Sequence, residues 1–152
     1  MGAFPDKLQA GSMWRVLLIA LALTGCQQLP LTPQDIEARK FESISGKAAI
    51  YIVRDAMSAD VGAPLQLDQG ARITTYAGTY YRWLANPGSQ TIAATGPSAA
   101  SITIQAEAGK LYFVHHMVEG ATCSGVTDSA LKLTDNQTGR ARVMQAVLMQ
   151  TQ

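Results

Sequence analysis

Apolar and polar positions alternate in short runs from Gly46 onward. In Lys47–Arg54, Ile50 and Ile52 take one side of an extended segment and Tyr51 and Val53 the other. Apolar residues on both sides predict a central strand covered on both faces. Pro64–Asp68 puts Leu65 and Leu67 inward and Gln66 outward, and Asp68-Gln69-Gly70 predicts a hairpin-type turn. Ala71–Tyr76 and Thr79–Ala85 are the next strand segments. They lead into Asn86-Pro87-Gly88, where proline presets φ at one corner and glycine supplies positive φ at the next, the signature of a type II turn. Gln90–Thr95, Ser101–Glu107, the strongly apolar Leu111–Val118 and the short Ala130–Leu133 complete the series.

About seven short strands at this spacing predict a mainly β fold, an antiparallel β-sandwich. The chain lacks the strand–helix alternation of a parallel α/β sheet. Two helices flank the strands. Thr32 is placed as an N-cap, with Pro33 at the first helical position, Asp35 three residues after the cap, and Leu31 and Ile36 placed for a hydrophobic contact. This short N-terminal helix is expected to run to about Ser43, too short to stand without packing on the domain. A C-terminal helix is expected within Asp135–Met149, with Ala141, Met144, Val147 and Leu148 on one face. Gly139 weakens its first turn, so ordered helix is expected only from near Arg140.

Upstream of the strands the pattern is different. Val16-Leu17-Leu18-Ile19-Ala20-Leu21-Ala22 runs directly into Leu23-Thr24-Gly25-Cys26. As a helix, Val16–Leu23 would span about 12 Å, well short of a bilayer core of about 30 Å. Arg15 precedes the run and a small residue precedes the cysteine, the layout of an export signal. Leu23-Thr24-Gly25-Cys26 resembles the lipobox of bacterial lipoproteins, which are cut before a cysteine that then carries lipid. The resemblance implies lipidation of Cys26 and anchoring to a bacterial envelope membrane. Gln27 follows where an aspartate often retains lipoproteins at the inner membrane, so the outer membrane, facing the periplasm, is expected. Met13-Trp14-Arg15 is itself a complete n-region, making Met13 a candidate start and residues 1–12 a candidate non-native leader. The expected organisation is a signal peptide over 1–25, a tether with a short helix over 26–45, and a β-sandwich with its C-terminal helix over 46–150.

Charge narrows the function classes. The chain has 12 basic and 11 acidic side chains, of which Asp6, Lys7 and Arg15 lie before Cys26, leaving ten of each. No basic stripe is present to attract nucleic acid. With Cys26 lipidated, Cys123 has no partner within the chain and is expected to be a buried, inert thiol. His115 and His116 are adjacent on a strand and point to opposite faces, so they do not share one metal ion; one is expected inside and the other toward solvent. Asp55, Asp60 and Asp68 fall at strand ends and loops, as expected for a solvated surface. The chain has no phosphate loop, no GxSxG serine motif and no residue set implying a cofactor.

Three segments together resemble a known group. Gly46-Lys47-Ala48-Ala49-Ile50-Tyr51-Ile52-Val53-Arg54, the stretch from Tyr80 to Asn86-Pro87-Gly88, and Ala108-Gly109-Lys110-Leu111-Tyr112-Phe113-Val114 resemble the bacterial lipoproteins called the domain of unknown function 2846. Phe113 stands where that group often has a second tyrosine. The resemblance covers about Gly46 to Leu148 and implies a transthyretin-like or PEGA-like sandwich on a lipid anchor, with no catalytic residues to carry over.

The aromatic group Tyr76, Tyr80, Tyr81 and Trp83, with Arg82, is the candidate ligand or partner surface. Tyr81 and Trp83 share one side of their strand; Tyr80, Arg82 and Leu84 share the other. One set is expected in the sandwich core, the other exposed or under a terminal helix. The function expected is a membrane-tethered, non-enzymatic binding or interaction module with an envelope-protein or cell-wall partner. The alternative is an envelope enzyme or processing factor, marked by a pocket that gathers Arg82, His115 or Cys123 beside a carboxylate.

Overall fold

Strand β1 (Ala48–Arg54) is buried along its whole length, on both faces. A computed structural model of the chain describes residues 30–68, 70–95, 100–120 and 127–149. Around β1 are β2 (Ala63–Leu67), β3 (Arg72–Thr75), β4 (Thr79–Ala85), β5 (Gly88–Ala94), β6 (Ser101–Ala106), β7 (Leu111–Gly120), β8 (Thr127–Thr134) and β9 (Val147–Leu148). Helix α1 (Pro33–Ala38) precedes the strands and α2 (Asn136–Gln145) follows β8. Cys26 and Cys123 lie outside the described residues. Among those described, no helix is long and apolar enough to cross a membrane.

The strands form two sheets, ordered β8-β7-β1-β4-β9 and β3-β2-β5-β6. The fold is the mainly β, antiparallel sandwich that the strand pattern predicts. Within the five-stranded sheet, two pairs run parallel: β1 with β7, and β4 with β9. The first is possible because the chain builds the whole four-stranded sheet between β1 and β7, a connection long enough for a crossover.

The five-stranded sheet is covered on both faces. Toward the other sheet, Ile50, Ile52 and Val114 meet Leu65, Leu67, Ile73, Ile92 and Ile104. Away from it, Ala49, Tyr51, Val53, Tyr80 and Phe113 meet Ala38, Val143 and Ala146 from the helical layer. The two apolar faces of β1 thus serve two different cores.

Asn86-Pro87 turns the chain from β4 in one sheet into β5 in the other. Gly88 takes φ of +118° there, as the turn pattern predicts. Lys47 Nζ reaches Asn86 Oδ1 at 2.6 Å and ties this corner to the start of β1.

Both helices depart from their expected bounds. Helix α1 starts as predicted, with Thr32 Oγ1 accepting from the Asp35 N–H at 3.1 Å. It ends at Ala38, well before Ser43, because Phe41 turns into the left-handed region (φ +54°). That turn swings the Phe41 ring onto Tyr51 and Phe113, with centroids 5.5 and 5.9 Å apart. Helix α2 begins at Asn136, because Asp135 caps it and accepts from the Thr138 N–H at 2.8 Å. Gly139 sits within its first turns and does not delay it. The helix stops at Gln145; Val147 and Leu148, expected to be helical, pair with Thr79 and Tyr80 as β9.

Candidate functional site

The predicted aromatic surface is divided by the sheet. Tyr81 and Trp83 turn toward the other sheet and pack on the intersheet core. Tyr80 is buried on the helical side, and its hydroxyl donates to Asp35 Oδ1 at 2.7 Å. Arg82, also on the helical side, places its guanidinium carbon 5.9 Å from the Tyr51 ring centroid. Tyr76 lies beyond β3, half exposed, with its ring beside Gly62. These five residues therefore form no single patch. Two of them, Tyr81 and Arg82, border a small groove of about 350 Å³ together with Leu84, Ala38, Leu148 and Met149.

Asp35 is the functional-looking residue that the sequence pattern did not single out. In the pattern it belongs to a helix start; in the fold it is 1% exposed and faces the sheet. Its carboxylate accepts from Arg39 Nε at 2.5 Å, from Tyr80, and from the Leu148 N–H at 3.3 Å. Arg39 in turn donates to the carbonyls of Met144 and Ala146, at 3.1 and 2.7 Å. One ion pair thereby joins α1, β4, the end of α2 and β9. Burial alone raises the Asp35 pKa, but the hydrogen bonds from Arg39, Tyr80 and Leu148 outweigh it and hold the carboxyl below its usual range. Burial, reinforced by the neighbouring Asp35 carboxylate, pushes the Tyr80 phenol well above its own.

A second polar cluster draws on the last turn of α2 through Arg142. The expectation of a solvent-facing histidine is corrected here, whereas Asp55, at the end of β1, keeps 40% of its side chain exposed as expected while pairing with its neighbours. His115, on the helical face of β7, is only 11% exposed in its side chain, and its Nε2 lies 3.1 Å from Asp55 Oδ2. Arg142 of α2 closes on the same carboxylate oxygen and lies 3.3 Å from His115 Nε2. The reason is tertiary: α2 packs over β7 and brings Arg142 to the loop after β1. Burial lowers the His115 pKa against the opposing pull of Asp55, keeping the ring neutral near pH 7. Burial pushes Asp55 upward, but Arg142 and His115 hold it ionised.

His116 points the other way, as predicted, into the intersheet space. It is fully buried, with Nδ1 2.9 Å from Thr75 Oγ1 and Nε2 3.2 Å from Ser129 Oγ. Nearby, Arg54 is fully buried and, among the described residues, makes no ion pair, Asp60 acting on it only through space. It donates to the carbonyls of Val61 at 2.6 Å, Thr75 at 2.9 Å and Ala59, and to Ser58 Oγ at 3.1 Å. Arg54 thus organises the loop that follows β1.

That loop and α2 enclose an open cleft of about 760 Å³, with Asp55, Met57, Gly78, Thr138, Arg142 and Gln145 among its walls. Met57 is 97% exposed at its rim. The cleft offers hydrogen-bond donors and acceptors together with a methionine side chain, a surface able to hold a polar ligand or a partner loop. His115 is not a wall of this cleft; it lines a smaller neighbouring pocket of about 190 Å³ with Asp55, Met57 and Ser58, where a neutral imidazole oriented by a carboxylate can accept a proton. Among the described residues, no three His, Cys, Asp or Glu side chains are gathered to hold a metal ion. Compared with known proteins, the chain matches no family model and no curated protein.

Proposed function

We propose that this protein is a lipid-anchored module of the bacterial envelope, held through Cys26 at the outer membrane and facing the periplasm. Its role is to bind an envelope-protein or cell-wall partner without catalysis. The observation that carries this reading is Leu23-Thr24-Gly25-Cys26 placed directly behind the apolar run. The cleft beside α2 is the binding surface of this module, and the resemblance to the domain of unknown function 2846 points the same way. A single acyl chain holds a protein only marginally, at about 0.8 kcal/mol per buried methylene, and stable attachment needs a second signal. The two or three chains of a bacterial lipoprotein supply it.

The test is Cys26→Ala in a Gram-negative host. The parent incorporates labelled palmitate and fractionates with outer membranes; the variant remains an unlabelled precursor. Normal processing and membrane fractionation of the variant would overturn the reading.

The Asp55–His115 pair favours a second reading, an envelope enzyme or processing factor. Complementation of a deletion strain separates the two. His115→Gln, which leaves the walls of the cleft unchanged, abolishes complementation if the pair performs proton transfer, and leaves it largely intact if the cleft only binds.

A further inference from the structure

Resting on the lipoprotein reading, we infer that the exposed apolar surface around α1 docks into the interfacial layer of the same membrane that holds Cys26. Five residue steps separate Cys26 from Leu31. A fully extended chain covers at most about 3.5 Å per step, so Leu31 stays within about 18 Å of the lipidated sulfur. The headgroup layer of one leaflet takes up about 6 Å of that reach. What is left is about the diameter of one helix with its side chains, roughly 10–12 Å. Helix α1 is therefore confined to the membrane surface.

The side chains that α1 presents suit that position. Leu31 and Ile36 are 43% and 51% exposed, and they occupy the positions before the cap and at the fourth helical residue, which lie on one side of a helix start. Met144 and Val147, 54% and 60% exposed, sit on the segment that Arg39 and Asp35 bind directly to α1. The bordering charges balance: Lys40 pairs with Glu37 at 2.6 Å, with Glu42 acting on Lys40 and Arg82 on Glu37 through space, so these four side chains carry no net charge against an anionic headgroup. The Asp35–Arg39 pair fastens α1 to the segment that carries Met144 and Val147, so both sets of side chains are held on one body. The anchor makes contact with lipid intramolecular, which lets a few half-exposed apolar side chains suffice.

The experiment uses the full lipidated chain, its modification at Cys26 verified by mass, in vesicles of phosphatidylethanolamine and phosphatidylglycerol doped with brominated phosphatidylcholine. Ile36→Trp and Leu31→Trp are the reporters. Leu133→Trp is the control: Leu133 is 46% exposed on β8, at the opposite edge of the sheet from β9 and about 19 Å across it. The emission added at Ile36 or Leu31 is expected to fall about twofold or more in brominated vesicles, with little change at Leu133. Equal quenching at all three positions, or none at Ile36 and Leu31, overturns the docking while leaving the anchor intact. Unquenched reporters in a chain that cross-links to a second copy through α1 would assign the surface to self-association and also overturn it. A chain without lipid on Cys26 overturns the anchoring itself, and the docking with it.

Discussion

The phenol of Tyr80 donates a 2.7 Å hydrogen bond to the carboxylate of Asp35, across 45 positions of sequence. Through it, helix α1 is fastened to the fourth strand, and Arg39 extends the fastening to the end of α2. On the lipoprotein reading, the chain leaves its anchor and almost at once becomes part of the sandwich.

Breaking this junction should be costly. Asp35→Ala leaves Arg39 and Tyr80 facing an empty, buried site and should destabilise the fold by about 3 kcal/mol, the scale of a broken buried ion pair. Tyr80→Phe removes one hydrogen bond and should cost about 1 kcal/mol. Because both act through one bond, the double variant should lose less than the sum, by roughly 0.5 kcal/mol or more. Urea denaturation of the four proteins measures this, and strict additivity would show that the bond couples nothing.

His116 predicts a pH dependence. Burial, then the charge of Arg54, pushes its pKa down to about 4 from an ordinary value of 6.5. The folded state holds the ring neutral while the unfolded state takes up a proton between these values, so stability rises with pH across that window. The contribution is complete above about pH 6.5 and is lost on acidification toward pH 4, a loss on the order of 3 kcal/mol. Asp35 and Asp55, whose pKa values lie below the ordinary carboxylate value, lose their contributions only at more acid pH. Thermal melts between about pH 7 and pH 4.5 should fall steeply for the parent and much less for His116→Gln. Equal slopes would place the dependence elsewhere.

Two glycines should resist substitution for opposite reasons. A Cβ at Gly139 would lie 2.2 Å from Phe113 Cγ, so Gly139→Ala should destabilise by about 1–3 kcal/mol despite the better helix propensity of alanine. At Gly88 nothing lies within 4 Å of such a Cβ, but φ is +118°. Gly88→Ala should cost about 1 kcal/mol from backbone strain alone, and Gly88→Val more, because a β-branched side chain tolerates that region least. Paired with Gly139→Ala, Phe113→Leu should recover part of the loss, whereas no neighbouring change should rescue Gly88→Val. Melting curves of these variants decide between clash and strain.

Features carried by contiguous residues are legible in the sequence itself. The doubly apolar Lys47–Arg54 contains the central strand, Thr32 is a cap, and Gly88 takes positive φ, because each follows from side-chain alternation or backbone sterics within a few positions. The tether and lipid anchor are expectations from contiguous sequence on which the fold does not bear, since Cys26 and Cys123 lie outside the described residues. Tertiary structure decided which groups meet. Strand β1 runs beside β7 only after the chain has built a second sheet, and Asp55, His115 and Arg142 come from a loop, a strand and a helix. Alternation separates Tyr80 and Arg82 from Tyr81 and Trp83 but leaves open which pair faces the second sheet; α1 and α2 decide it by covering the other side. Asp35 shows the limit most clearly. Its spacing from Thr32 marks a helix start, but its burial depends on Tyr80 and Leu148, whose positions only the folded chain defines.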